Sequence, residues 1–328
     1  ALANAAHRWA VWENGAVFNK RCRPLYNGTD LRKLPQVFRM EIETTKARPK
    51  GFYGGWWFFA FPLELTDHMP FPFFVRGDDI SFSLVHDFNI VTLPGVISFQ
   101  DVDFADKQSA QTLYLDLRSH LAHHLALPDM EIGRIETLKL ALSFFAKALA
   151  SSHYGTARAL NLAFEDTMQG PDFFAKNADM SERRAMIKGI MQDETWQDYL
   201  GEPPAPRMRL SPHNKFLRRF IQLSLNGALL PFFGRFGNRV VVDADGRDHI
   251  SNSWATAEMF VYDAANKKAY QVHHSKRAFF SVSLRLLRNC AVFMLRYPKI
   301  RAAWRSGYND LTKGDFWTRR LKTGTTTE

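Results

Sequence analysis

Two adjacent carboxylates, Asp78 and Asp79, are the side chains best suited to chemistry, because an apolar run that can form a helix follows them directly. Upstream, two glycines precede a pair of adjacent tryptophans, Trp56 and Trp57. A carboxylate held at the start of a helix can remove a proton from a hydroxyl group, and indole rings offer flat apolar surfaces. The combination suits a polar ligand with apolar faces and a hydroxyl to deprotonate, such as a sugar.

Each of these motifs also has a plainer interpretation. Adjacent tryptophans are more often neighbours in a core and at a surface than a binding platform. An aspartate pair before an apolar run most often caps a helix, whose N-terminal dipole favours negative charge. The residue types alone leave both interpretations open.

The surrounding segments predict how the two motifs are positioned. Residues 52–61 are apolar almost throughout, which is typical of a buried strand. Residues 69–74 contain two prolines, which keep that connector extended rather than helical. The sequence therefore predicts an aromatic surface, an extended connector, and a carboxylate pair that opens a helix.

The order of these motifs resembles the acceptor-side half of a family 2 glycosyltransferase with a GT-A fold. The closest resemblance is to the galactofuranosyltransferases that build actinobacterial cell-wall galactan. In that group a GWW segment lines the acceptor site, and an acidic segment supplies the catalytic base. The resemblance implies that Gly55, Trp56 and Trp57 bind the acceptor, and that Asp79 is the base beside Asp78.

The metal site departs from the family pattern. The family has a histidine shortly after the LPG segment, whereas this chain has Gln100 and Asp101 at that place. Mn²⁺ and Mg²⁺ accept oxygen ligands readily, so Gln100, Asp101 or Asp103 could replace the histidine. The resemblance implies one of these divalent metals as cofactor and a UDP-sugar, UDP-galactofuranose, as donor.

The donor side of the resemblance has no counterpart between Ala1 and Gly54. The family carries an aspartate motif for the nucleotide-sugar diphosphate upstream of the GWW segment, after several strand–helix units. We therefore expect the donor-binding half to be absent, and this chain alone to be inactive as a transferase.

Length and composition predict the overall organisation. At 328 residues and 46% apolar content, the chain exceeds one typical domain and can bury a large core. The predicted fold is α/β, with three regions. Residues 1–127 form the acceptor-side part of a GT-A domain, residues 128–200 a helical region, and residues 207–328 a C-terminal helical region with a small β-hairpin unit and a basic tail.

The basic tail suggests an anionic partner. The formal net charge is +10, and residues 274–328 hold twelve Lys or Arg against three acidic residues. The predicted amphipathic helices 275–297 and 299–306 fit either packing on the protein body or lying on lipid headgroups. The resemblance implies a lipid-linked glycan acceptor, which favours an anionic membrane surface.

Localisation follows from the same features. We find no uninterrupted run of eighteen apolar residues that would span a bilayer. The two cysteines, Cys22 and Cys290, are far apart, which fits a reducing compartment. We expect a cytoplasmic protein that is peripheral at the inner face of the cell membrane. The resemblance leaves a homo-oligomer open.

Two smaller motifs suggest metals. His120, His123 and His124 cluster in the last turns of a predicted helix, where solvated or dipole-capping histidines are the favoured alternative to a metal site. Asp243 and Asp245 resemble the start of a calcium loop, but the remaining ligand positions do not follow, which favours a plain turn.

Three classes of function remain. The leading one is an inverting glycosyltransferase. The second is a non-catalytic module that binds glycans or membranes, in which Asp78 and Asp79 only cap a helix. The third is a nucleic-acid binder, which the basic tail alone suggests; because no nucleic-acid module accompanies that tail, we do not expect nucleic acid as a partner.

Overall fold

The computed structural model has a mixed α/β architecture, with 52% helix and 15% strand, which confirms the predicted α/β class. The structure describes residues 1–4, 7–46, 49–86, 88–100, 109–211, 213–244, 246 and 250–324.

Within these described ranges, the strands form three small sheets. Two of them lie in the first hundred residues, with the orders β2-β1-β6 and β4-β3-β5, and the third, β7-β10-β9-β8, lies in the C-terminal half. The strands are β1 Leu2–Asn4, β2 His7–Glu13, β3 Ala16–Phe18, β4 Cys22–Pro24, β5 Phe52–Tyr53, β6 Ser98–Gln100, β7 Gln197–Asp198, β8 Asn238–Asp243, β9 Thr256–Asp263 and β10 Lys268–His273.

The helices make up most of the core. They are α1 Leu34–Thr44, α2 Asp78–His86, α3 Ala110–Ala126, α4 Gly133–Ala150, α5 Tyr154–Gln169, α6 Pro171–Lys176, α7 Ser181–Ile190, α8 Lys215–Leu223, α9 Phe233–Phe236, α10 Lys276–Leu311 and α11 Gly314–Gly324.

Helix α3 is the centre of the molecule. The sequence predicts one apolar stripe along it, but most of its residues are buried on every side, from Tyr114 to Ala126. Its neighbours in the core are α4, α5 and α10. A helix enclosed in this way must also bury its polar side chains, and Arg118 is only 1% exposed.

Helix α10 is a single helix of 36 residues, whereas the sequence predicted two helices separated at Pro298. Proline removes one helical hydrogen bond and crowds the preceding turn. Burial of apolar side chains on both sides of it, including Phe293, Tyr297 and Ile300, outweighs that cost. The buried face of α10 lies against α5 and α3.

Among the described residues, α10 is also the one helix long and apolar enough, by length and composition alone, to cross a membrane. One face of α10 is buried against α5 and α3, while Leu284, Leu287 and Leu295 of the same helix are exposed. Arg285 on this helix pairs with Glu165 of α5.

One hydrophobic core joins all three predicted regions. It contains Phe18 from the first region, Phe164 from the second and Trp304 from the third. The four-stranded sheet, which takes β7 from the second region and its other strands from the last, differs from a simple hairpin. Strands β9 and β10 form an antiparallel hairpin, but β8 pairs with β9 in parallel.

Candidate functional site

The segment that carries the tryptophans is not a buried strand, and that prediction is wrong. Strand β5 ends at Tyr53, and the side chains of Trp56 and Trp57 are 39% and 48% exposed. The two glycines explain the change, because each lies against an aromatic ring. A Cβ at Gly54 would overlap the ring of Phe59, and one at Gly55 would lie 2.8 Å from Nε1 of Trp57. The chain folds back on itself instead of continuing the sheet.

Each tryptophan is oriented by its own contact. Nε1 of Trp57 donates a hydrogen bond to Oε1 of Glu13, at 2.9 Å. The ring of Trp56 packs edge-on against Phe82 of α2, with ring centroids 5.5 Å apart. Both indoles are therefore held at the surface while keeping part of their area exposed, which is what a binding platform requires.

Glu13 is the functional candidate that the sequence interpretation missed. It ends β2 and is 8% exposed. Burial raises the pKa of the Glu13 carboxyl, and the hydrogen bond from Trp57 partly opposes that rise. A lone glutamate at the end of an amphipathic strand has no signature in the sequence. Only the fold brings it beside the tryptophan.

The turn before the carboxylates has a strained backbone. Phe74, Arg76 and Gly77 all have positive φ, at 77°, 67° and 99°. Non-glycine residues rarely adopt this conformation, and such strain is concentrated at functional sites. Helix α3 fixes the turn. The Arg76 guanidinium donates to both oxygens of Asp116, at 3.0 and 2.9 Å.

The predicted helix start at the carboxylate pair is confirmed, because α2 begins at Asp78. The backbone N–H of Ile80 donates to Oδ1 of Asp79, at 2.8 Å. Burial, the charge of Asp78 and the more distant charge of Glu13 raise the pKa of Asp79 to about 7, against hydrogen bonds from the backbone of Ile80 and Trp56. The packing of Trp56 on Phe82, in the same helix as Asp79, brings the tryptophan and carboxylate motifs together.

The two carboxylates have different surroundings. Asp79 lies toward Glu13 and the tryptophan segment, whereas Asp78 lines a groove of about 370 Å³. Phe74, Asp179 and Trp317 are among the other residues that line the groove. Burial raises the pKa of Asp78 as well. The groove is thus lined by aromatic rings and by two carboxylates, Asp78 and Asp179, which are side chains that a sugar could also contact.

Of the proposed metal ligands, the structure describes only some. Gln100 lies in β6, while Asp101, Asp103 and Asp245 fall outside the described residues. Within the described ranges, no group of three or more His, Cys, Asp or Glu side chains could hold a metal ion. These residues do not by themselves supply a ligand set for Mn²⁺ or Mg²⁺. Asp243 accepts a hydrogen bond from the backbone N–H of Gly246, which is a turn contact.

The histidine cluster is buried, and the prediction of solvated or dipole-capping rings is wrong. His120, His123 and His124 surround the ring of Phe18, with centroids 5.3, 4.9 and 5.2 Å from it. Burial lowers the pKa of all three, that of His120 to about 4. We therefore interpret them as neutral rings of the core. The sequence prediction failed because it assumed a helix with one exposed face.

Comparison of the chain with known protein families and with curated proteins gives no match in either case. The functional interpretation therefore depends on the motifs and on the geometry of the site.

Proposed function

We propose that this chain is the acceptor-binding part of an inverting glycosyltransferase of GT-A type, with Asp79 as general base. The observation that carries the proposal is the packing of Trp56 against Phe82 of α2, which joins an exposed aromatic surface to the helix whose first turn carries Asp79. A carboxyl group with a pKa near 7 suits this role, because a general base works best when its pKa lies near the working pH.

The proposed reaction assigns one role to each motif. Trp56 and Trp57 would contact the apolar face of an acceptor sugar and direct one hydroxyl toward Asp79. The proton of that hydroxyl passes to the carboxylate as the oxygen attacks the anomeric carbon of the donor. The bond between that carbon and the diphosphate oxygen breaks on the opposite side, and UDP leaves. The configuration at the anomeric carbon is inverted.

The proposal also names the donor, the acceptor, the cofactor and the cellular location. The donor would be UDP-galactofuranose, the acceptor a lipid-linked cell-wall glycan, and the cofactor Mn²⁺ or Mg²⁺. The protein would work at the inner face of the cell membrane. The motif order GWW followed by RGDD supports these assignments through family resemblance.

The test is Asp79→Asn in the natural full-length protein, assayed for transfer from UDP-galactofuranose to a short galactan acceptor in the presence of Mn²⁺ or Mg²⁺. Loss of the base should reduce kcat by about 10²- to 10⁴-fold. Asparagine keeps the size of the side chain and the oxygen that accepts from Ile80, so the fold should be retained. Asp310→Asn, at an exposed position on α10, is the matched control and should keep full activity. Full activity of the Asp79→Asn protein would remove Asp79 from the mechanism.

The second candidate is a glycan-binding module without catalysis. The observation that favours it is the position of both carboxylates in the first turn of α2, where the helix dipole favours negative charge without any catalytic role. In that case the full-length protein would bind a galactan oligosaccharide, with a change in tryptophan fluorescence, but would transfer no sugar from any UDP-sugar donor.

A further inference from the structure

A stretch of forty residues contains several basic residues and no acidic residue. Between Pro203 and Val242 the chain has no Asp or Glu and seven basic residues, Arg207, Arg209, Lys215, Arg218, Arg219, Arg235 and Arg239. Within the part of the chain that the structure describes, Lys215, Arg218 and Arg219 form no ion pair. All three side chains are exposed.

Helix α8, which carries these three cations, also exposes apolar side chains. Phe216, Phe220 and Leu223 lie on one stripe of the helix and are 82%, 46% and 73% exposed. The neighbouring stripe, with Leu217 and Ile221, packs on the protein. A surface helix of a globular protein normally has polar residues outside its buried stripe. Here the apolar surface extends beyond what the core requires.

The turn after α8 continues the exposed apolar surface at a cost in backbone energy. Leu225 and Phe232 have positive φ, at 53° and 55°, and are 53% and 71% exposed. A bulky residue in this conformation is unusual, and its exposure gives no gain from burial. Asn226 holds the turn in place through hydrogen bonds to Ala150 and Ser253.

Three arginines of α10 are arranged differently. Arg285 pairs with Glu165, and both Arg301 and Arg305 pair with Glu131. These arginines hold the helix on the protein body, so they are poorly placed to recruit an external anionic surface. In the described part of the chain, Lys215, Arg218 and Arg219 of α8 have no such pairing, and they lie beside exposed apolar side chains.

We propose that α8 and the turn after it form a membrane-docking patch that inserts into the headgroup region of an anionic lipid surface. The docking patch consists of Phe216, Phe220, Leu223, Leu225, Leu229 and Phe232, together with Lys215, Arg218, Arg219 and Arg235. Its apolar side chains enter the boundary between headgroups and acyl chains, and its cations contact lipid phosphates. The choice of lipid over another anionic surface rests on the proposed function, which requires a lipid-linked acceptor.

The combination of cations and apolar side chains in the docking patch favours an anionic bilayer over a second copy of the chain or a nucleic acid. A second copy of the patch would bring cations against cations, and a nucleic-acid surface would leave the phenylalanines and leucines without an apolar environment. An anionic bilayer satisfies both kinds of side chain, because its phosphates lie directly above its hydrocarbon.

The test is sedimentation of the chain with vesicles of phosphatidylcholine alone and of phosphatidylcholine mixed with phosphatidylglycerol. We expect binding to the mixed vesicles and little binding to the neutral ones. Arg218→Gln with Arg219→Gln should weaken partitioning by about fivefold for each cation removed. Phe216→Ser with Leu223→Ser should weaken it by at least about tenfold. All substituted positions are exposed, so circular dichroism and the thermal midpoint should be unchanged.

The matched control is Leu284→Ser with Leu295→Ser on α10, at positions 65% and 83% exposed but outside the docking patch. These changes should leave vesicle binding intact. Equal binding by the docking-patch variants and the wild type would overturn the proposal. Binding of duplex DNA without binding of vesicles, lost on removal of Arg218 and Arg219, would also overturn it in favour of nucleic acid.

The two proposals can fail separately. If the docking proposal is wrong, the Phe216→Ser, Leu223→Ser variant of the full-length protein binds vesicles like the wild type, whatever its activity on a water-soluble acceptor. If the transferase proposal is wrong, no transfer occurs to either acceptor, while vesicle binding and its loss in the variants remain.

Discussion

The fold disfavours the charged form of Asp79. The carboxyl is largely buried beside Asp78 and within the field of Glu13, and its pKa is raised to about 7. Because the group is held at the start of a helix, its position is set by the backbone rather than by a flexible loop. The folded protein therefore keeps, at some cost in stability, a carboxylate that can exchange a proton near neutral pH.

This cost predicts a dependence of stability on pH. A carboxyl with a raised pKa holds its proton in the folded state between about pH 4 and pH 7, where it has already lost that proton in the unfolded state. The free energy of unfolding should therefore fall as pH rises through this range. Asp79→Asn should remove this part of the slope and make the protein more stable at pH 8, by up to about 4 kcal/mol. Urea unfolding at several pH values measures both effects, and parallel curves for the two proteins would contradict the assignment.

Glu13 should also affect the protonation of Asp79. Its negative charge raises the pKa of Asp79, and Glu13→Gln removes that charge while keeping an oxygen to accept from Trp57. We expect the pKa of Asp79 to fall, as measured by carboxyl carbon chemical shifts. Glu182→Gln, 74% exposed on α7, is the control and should leave the titration unchanged. An unchanged Asp79 titration in Glu13→Gln would show that the two groups do not interact.

Individual residues differ in how far the sequence could predict them. The carboxylates and tryptophans were identified because they are adjacent and follow glycines. Glu13 was not, because its role depends on a contact across 44 residues of sequence. The histidines were misplaced because a sequence pattern reports which residues are apolar, but not whether a helix is enclosed on all sides.

Among the elements, the turn that precedes α2 depends most on its neighbours. Gly77 has a φ of 99°, and a Cβ there would lie 2.6 Å from Cβ of Ser119 on α3. The site of the carboxylates is therefore positioned by direct contact between a backbone turn and the central helix.

Gly77→Ala should destabilise the protein through both strain and overlap. Gly95→Ala is a matched control, because Gly95 also has a positive φ, of 72°, but no atom lies within 4 Å of the added Cβ. Both variants carry the cost of the left-handed backbone, roughly 1–2 kcal/mol. The overlap at Gly77 should add about 1–3 kcal/mol. Chemical denaturation of both proteins gives the difference directly. If both variants lost the same free energy of unfolding, α3 would have to move away from the added Cβ of residue 77 at no energetic cost.

The sequence predicts the ends of helices and strands correctly where neighbouring residues alone determine them. The start of α2 was predicted because acidic residues favour a helix N-terminus. The strand predicted over residues 52–61 did not form, because Gly54 and Gly55 accept aromatic rings against their backbone. Helix α10 continued through Pro298, because tertiary burial outweighed a local break. Such contacts cannot be read from hydrophobic periodicity.

At the scale of the whole molecule, the C-terminal helices hold the segment that leads to the carboxylates. The ring of Phe71 stacks on Tyr308 of α10, with centroids 5.0 Å apart and planes nearly parallel. Nε1 of Trp317 donates to the backbone oxygen of Pro70, at 2.8 Å. The sequence predicted the α/β class, but not this long-range connection, which involves residues more than 200 positions apart.

Trp304 should contribute most to the packing of α10 against the connector. It is fully buried, lies against Phe71 and Phe174, and donates from Nε1 to the backbone oxygen of Thr167. Trp304→Ala should lower the free energy of unfolding by about 3–5 kcal/mol, because it opens a large cavity. Trp9→Ala, at a position 44% exposed, should cost much less. Similar denaturation midpoints for the two variants would mean that α10 contributes little to the core.

The contact between Phe71 and Tyr308 also constrains the order of events during synthesis. The connector and the carboxylate turn leave the ribosome well before their packing partners, which lie more than 200 positions further along the chain. Until then the aromatic rings of the connector have no place in a core, and contacts of such long separation form slowly. Nascent chains arrested before Tyr308 should therefore expose Phe71 and Phe73 to chaperones, and the carboxylate site should mature only after Tyr308 has emerged.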